Sequence, residues 1–149
     1  MALPGVSIET LQNILEALNI GVAFVDDRNN IALMNRRFGE MVHESPEERI
    51  GTSVYLCHPA ESKSRVEKLI AELKSGSRNH HETWLNFRGR ILFEHIYPVR
   101  DQDGNYVGML DLLRDAANEA EHMKRLGEWK ELPLKGLRKR AWEPIKNSG

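Results

Sequence analysis

Gly21-Val22-Ala23-Phe24-Val25-Asp26-Asp27-Arg28-Asn29-Asn30-Ile31-Ala32-Leu33-Met34-Asn35 holds two apolar runs, Val22 to Val25 and Ile31 to Met34, around a polar cluster. Asp and Asn side chains bond their own backbone and tolerate left-handed conformations, so the cluster reads as the turn of a β-hairpin. On its N-terminal side, Ser7 precedes Ile8, Leu11, Ile14, Leu15 and Leu18 at helical spacing. A Ser hydroxyl accepts from the orphan N–H groups of a first turn, which predicts a short amphipathic helix leading into the hairpin. On the C-terminal side, Asn35 to Val42 and Ser45-Pro46-Glu47-Glu48 predict two short helices ahead of Gly51. Beyond Val54-Tyr55-Leu56-Cys57-His58, Pro59 opens a longer helix with a stripe of Val66, Leu69, Ile70 and Leu73, which Gly76 ends.

From Asn79 onward the period changes to two. His81 to Phe87, Arg90 to Val99 and Tyr106 to Leu113 predict three strands, joined by turns at Arg88-Gly89 and Asp101-Gln102-Asp103-Gly104. Five antiparallel strands with helices inserted between the second and third make an α+β fold whose sheet has one face covered by helices. Alternation divides the middle strand of the second half into Ile91, Phe93, His95 and Tyr97 on one side and Leu92, Glu94 and Ile96 on the other. Ala116 to Trp129 has high helix propensity, and Leu132 to Gly149, with Pro133, Pro144 and Arg138-Lys139-Arg140, reads as a loosely ordered basic tail. The expected organisation is an N-terminal helix in residues 1–20, a central domain in 21–115, and a C-terminal helix and tail in 116–149.

A chain of 149 residues with an apolar fraction of 40% has the size and composition of one domain with its own core. Net charge is -1, with no electrostatic footprint for nucleic acid or an anionic membrane; the basic run beside Trp142 is short. Cys57 is the single cysteine and cannot form an internal disulfide. No apolar run approaches a membrane span and the N-terminus lacks a signal-peptide pattern, so the expected compartment is the cytoplasm. There is no phosphate-cradling Gly loop, no nucleophile motif and no paired zinc-ligand spacing; the expectation is a binding protein and not an enzyme.

Gly21 to Asp26, Ile31 to Asn35, Phe38, Ser45-Pro46-Glu47-Glu48 and Ile50-Gly51 resemble the first half of PAS domains. Pro98-Val99-Arg100-Asp101, Gly104, Val107-Gly108 and Arg114-Asp115 resemble the second half, so the likeness covers roughly Leu11 to Asp115. The resemblance implies a PAS fold and a sensory role, with signal leaving through flanking helices that commonly form a homodimer. Within the family, Tyr55-Leu56-Cys57-His58-Pro59 followed by Ser62 to Lys68 is similar to the branch fused to hemerythrin-like domains and to the heme-binding PAS domain of CO-responsive regulators. In the latter a His before Pro coordinates heme iron, and the motif position falls on His58. Those regulators use a Met on the following strand as the opposite ligand. The corresponding stretch here is His80-His81-Glu82-Thr83-Trp84, without Met.

The resemblance therefore implies heme b as cofactor, CO, NO or O2 as the sensed ligand, and His58 as the metal ligand. Imidazole is a strong iron ligand, and a helix N-terminus disfavours imidazolium and keeps the ring ligand-competent. The wider candidate set is Cys57, Trp84, His81, His95 and Met109. Cys57 adjoins His58, and neighbours in an extended segment point opposite ways, so it reads as a small buried hydrophobe. A flavin photoreceptor would need its Cys within Asn-Cys-Arg-Phe, which is absent. His80-His81 can supply a second iron ligand or a metal pair, with only one of the two pointing inward. His95 can meet a ligand from its strand face or pack there as a core or interface histidine, and Met109 can oppose His58 or pack in the core. Lys63, Arg65 and Lys68 can meet anionic groups such as propionates. The competing reading is a ligand-free interaction module, its cavity filled by Phe24, Trp84, Phe87 and Phe93, or a sensor of another small molecule.

Overall fold

A computed structural model of the chain describes Met1 and residues 4–127. The element order is α1 (Ile8–Ala17), β1 (Gly21–Asp26), β2 (Ile31–Met34), α2 (Arg36–Val42), α3 (Pro46–Arg49), a 3₁₀ turn (Val54–Cys57), α4 (Ala60–Ser75), β3 (His81–Phe87), β4 (Arg90–Arg100), β5 (Tyr106–Asp115) and α5 (Ala117–Arg125). The strands form one antiparallel sheet in the order β2-β1-β5-β4-β3. This is the α+β architecture expected from the sequence. The expected tail, with its basic run, lies outside the described residues, as does the end of the expected C-terminal helix.

Local chemistry sets the elements. Ser7 caps α1 by accepting from Thr10 N at 3.1 Å. In the β1–β2 turn, Asp26 Oδ1 accepts from the backbone N–H of Arg28 at 3.0 Å and of Asn30 at 2.8 Å, while Asn29 takes a left-handed φ of 67°. Asp101 does the same between β4 and β5, accepting from Asp103 N at 3.0 Å and Asn105 N at 2.9 Å. These bonds hold its carboxyl below the usual carboxylate range, the Asn105 side chain contributing most. The β3–β4 turn is Arg88-Gly89 with φ of 52° and 81°, a conformation suited to a two-residue hairpin.

Alternation then gives the sheet two unlike faces. Leu85, Phe87, Leu92, Ile96, Met109 and Leu113 are buried against the helical layer together with Met41, Ile70 and Leu73. Trp84, Phe93, His95 and Tyr97 turn the other way and stack on one another at the far surface.

Two polar devices fix the helices. Asn35 is buried, and its amide fills all four of its bonding positions. Its Oδ1 accepts from Val22 N and Phe38 N, each at 2.9 Å, and its Nδ2 donates to Leu15 O at 2.9 Å and Ile20 O at 3.0 Å. One side chain thus caps α2 and ties the end of α1 to the start of β1. At the C-terminal end of α4, Arg100 donates to the last carbonyls of the helix, Leu73 O at 2.8 Å and Lys74 O at 3.1 Å, where a cation also complements the helix dipole. Lys74 Nζ donates to Asp27 O at 3.0 Å, so the C-terminal end of α4 is clamped to both polar hairpin turns.

Candidate functional site

Between the inner sheet face and α4 lies an open cavity of about 600 Å³. Its apolar walls include Val25 and Ile31 from the first hairpin, Phe38 and Val42 from α2, Val54 from the 3₁₀ turn, and Leu85, Ile96 and Met109 from the later strands. None of Phe24, Trp84, Phe87 and Phe93 lines it, so the aromatic residues that could have plugged the space leave it clear. The volume is that of a pocket for a drug-sized ligand.

His58, Cys57, His81 and Met109 all line this cavity. His58 is extended, with φ of -125°, between the 3₁₀ turn and Pro59, and its backbone N–H bonds Tyr55 O at 3.2 Å. Cys57 shares the wall with His58, contrary to the expectation for an extended pair: Val54–Cys57 is a helical turn, and the alternation rule does not apply across its end. Burial pushes the Cys57 thiol above its ordinary value, so it sits there as a neutral thiol and not as a metal-seeking thiolate. His81 faces the cavity and His80 the opposite surface, as adjacent strand residues must. Trp84 and His95 do not reach the cavity; Trp84 stacks on Phe93 at 4.3 Å between centroids, and His95 meets the same ring edge-on at 4.3 Å.

Sequence reasoning passed over two residues. Glu94 and Asp111 lie on the cavity floor, 2% and 9% exposed, on neighbouring strands. These two alternate in phase with Leu92 and Ile96, and with Met109 and Leu113. A carboxyl in phase with buried aliphatics was the available signal. Burial pushes the Asp111 carboxyl up to about 8, because a charge in an apolar enclosure loses its hydration. At neutral pH it is therefore largely a neutral acid that can donate as well as accept.

The mouth is charged. Arg65 and Lys68 of α4 and Arg78 line it beside Glu72, and Arg78 Nε meets Glu72 Oε2 at 2.6 Å. At another side, Arg49 grips Glu44 through two bonds of 2.7 and 2.9 Å. The arrangement offers one imidazole on a firm backbone, apolar walls, a polar acidic floor and cations at the entrance.

A five-stranded antiparallel sheet with one face covered by helices and a cavity between them is the architecture of a sensory domain. A family model described as a PAS domain matches residues 11–116, and the chain belongs to the PAS domain family. No curated protein matches. Among solved structures, a C-terminal domain from Streptococcus mutans is 26% identical with a TM-score of 0.70, covering 82% of this chain and 96% of that one. The PAS domain of BvgS from Bordetella pertussis is 13% identical with a TM-score of 0.57, covering 82% and 94%. A sensory box sensor histidine kinase from Vibrio cholerae is 17% identical with a TM-score of 0.54, covering 70% and 87%. The last two are likenesses of fold alone.

Proposed function

We propose that this PAS domain senses a small ligand held in the cavity, that the ligand-bearing group is heme b with His58 as its iron ligand, and that the protein works by binding and not by catalysis. The observation that carries the reading is His58 on the wall of an open cavity of about 600 Å³ with aliphatic walls and cations at its mouth. These residues fit the group: an imidazole for iron, apolar surfaces for a macrocycle, and Arg65, Lys68 and Arg78 for carboxylates. When bound, heme supplies an iron with a position open to CO, NO or O2 or to a change of redox state. The chain's own part is to orient and enclose. His81 and Met109 line the same cavity and are the candidates for the opposite side. The family's heme-regulated and hemerythrin-fused branches enter only through this reading.

Signal leaves by a change in the relative affinity of two packings of the flanking helices. Exposed Ile8, Leu11 and Ile14 on α1 support a homodimer as part of the proposal. A cytoplasmic setting is supported by the lone Cys57 and by the absence, among the described residues, of a helix long and apolar enough to cross a membrane.

A second reading rests on Glu94 and Asp111. Two buried carboxyls on the floor suit a small polar ligand bearing N–H or O–H groups, recognised by acceptance from those hydrogens. The absorption spectrum of protein reconstituted with heme separates the two. A Soret band at one heme per chain, shifting under CO and lost in His58→Ala with the circular dichroism unchanged, is the expected result. Folded protein that stays colourless after reconstitution overturns the heme reading and leaves the second.

A further inference from the structure

We propose that His80, Glu82 and His95 form a binding site for a divalent transition-metal ion of the zinc class on the outer face of the sheet, at the edge strand where Glu82 also borders the cavity. The backbone brings them together. Glu82 and His95 are cross-strand partners in the β3–β4 ladder, so their side chains leave the sheet on one face. His80 stands two residues before Glu82 and joins them on that face.

The distances suit coordination. His80 Nε2 lies 3.0 Å from His95 Nδ1, 3.8 Å from Glu82 Oε2, and that carboxylate oxygen is 3.9 Å from His95 Nδ1. A point equidistant from the three atoms lies about 2.1 Å from each, the length of a zinc bond to imidazole or carboxylate. Two imidazoles and one carboxylate are borderline donors, which favours zinc and its neighbours over calcium or magnesium.

The rings are held where the ion needs them. His80 stacks on Tyr97 at 4.7 Å between centroids with 13° between planes, and Phe93 supports His95 edge-on. The Tyr97 hydroxyl is 3.4 Å from His95 Nδ1, one of the proposed ligand atoms. Without an ion, the two imidazoles share a hydrogen between Nε2 and Nδ1. Coordination requires only that whichever ring donates in that pair move its proton to its other nitrogen, the accepting ring already carrying its own there, which leaves the protons on His80 Nδ1 and His95 Nε2. β3 is an edge strand, which leaves the site open to an ion from solvent.

The test is calorimetric titration of the heme-free full chain with zinc chloride, repeated with cobalt(II) to read the ligand-field bands of a nitrogen and oxygen site. One equivalent is expected, with affinity lowered about tenfold or more in His80→Ala and in His95→Ala and by less in Glu82→Gln. All three side chains are at least partly exposed, so these variants are expected to keep the wild-type circular dichroism. Zinc affinity retained in the His80→Ala/His95→Ala double variant overturns the proposal, as does affinity that depends on His58 instead.

Discussion

The two faces of the sheet are made by the same strands, yet they handle polarity in opposite ways. On the inner face the buried polar groups are the carboxyls of Glu94 and Asp111, enclosed by aliphatic side chains and α4. On the outer face they are the imidazoles of His80 and His95 and the phenol of Tyr97, stacked on one another and in reach of water. Glu94 and His95 are sequence neighbours, and alternation alone sends them into different dielectrics. Inside, desolvation decides which protonation state exists. Outside, water remains available to every charge, and ring packing decides geometry. A strand that serves both faces can therefore carry a buried carboxyl and a metal-type donor positioned by stacking, one residue apart.

The largest break in this comparison is expected from paired truncations on β4. Leu92 is fully buried, and Leu92→Ala should cost about 2–5 kcal/mol in urea unfolding. Phe93→Ala, one residue on, should cost about 1 kcal/mol, since its ring is only half-buried and loses mainly its stacking on Trp84. Equal costs would mean that the faces are not unequal in burial.

Asp111 gives the next effect, through pH. Its folded carboxyl rises from the ordinary 3.8 up to about 8, so below pH 4 both folded and unfolded chains keep the proton and nothing is lost. Between about pH 4 and about pH 8 the unfolded chain releases the proton while the fold retains it, and each unit of pH lowers stability by up to about 1.4 kcal/mol. Asp111→Asn should flatten that slope and gain a few kcal/mol at pH 8 with little change at pH 4. A variant whose pH profile parallels the wild type would show that Asp111 is ionised in the fold.

Smaller still is Arg100→Ala, which removes the cation from the exposed carbonyl end of α4 and should cost about 1 kcal/mol in thermal or denaturant unfolding. The smallest change is expected on the outer face. Tyr97→Phe should alter stability by less than about 0.5 kcal/mol, because its hydroxyl meets only an exposed ring nitrogen at 3.4 Å.

Much of this was legible before the structure. The 21–35 hairpin was readable because Asp26 and Asn29 carry the chemistry of the turn themselves. The split of β4 into two rows was readable from period two, and Arg88-Gly89 fixes a register in which Glu82 must meet His95. Period does not say which row faces the helices, and that is why His95 stayed a candidate for the cavity and Glu94 went unnoticed. The shared wall of Cys57 and His58 was hidden for another reason: a single turn of 3₁₀ helix is too short to leave a periodic trace. The emptiness of the cavity depends on where Phe24, Phe87 and Phe93 point collectively, and no local rule reaches that far.

The clamp on α4 has a mechanical side. The helix has 16 residues and is about 24 Å long, and its anchored end is the one remote from His58. Turning it by about 5° around the Lys74 end carries the Ala60 end through about 2 Å, more than the rise of one helical residue. The wall bearing Ser62, Arg65 and Val66 can thus be displaced by a small rotation that leaves both hairpin turns at rest. In effect α4 is a beam tied at one end by hydrogen bonds to the hairpin turns, and its other end borders the cavity.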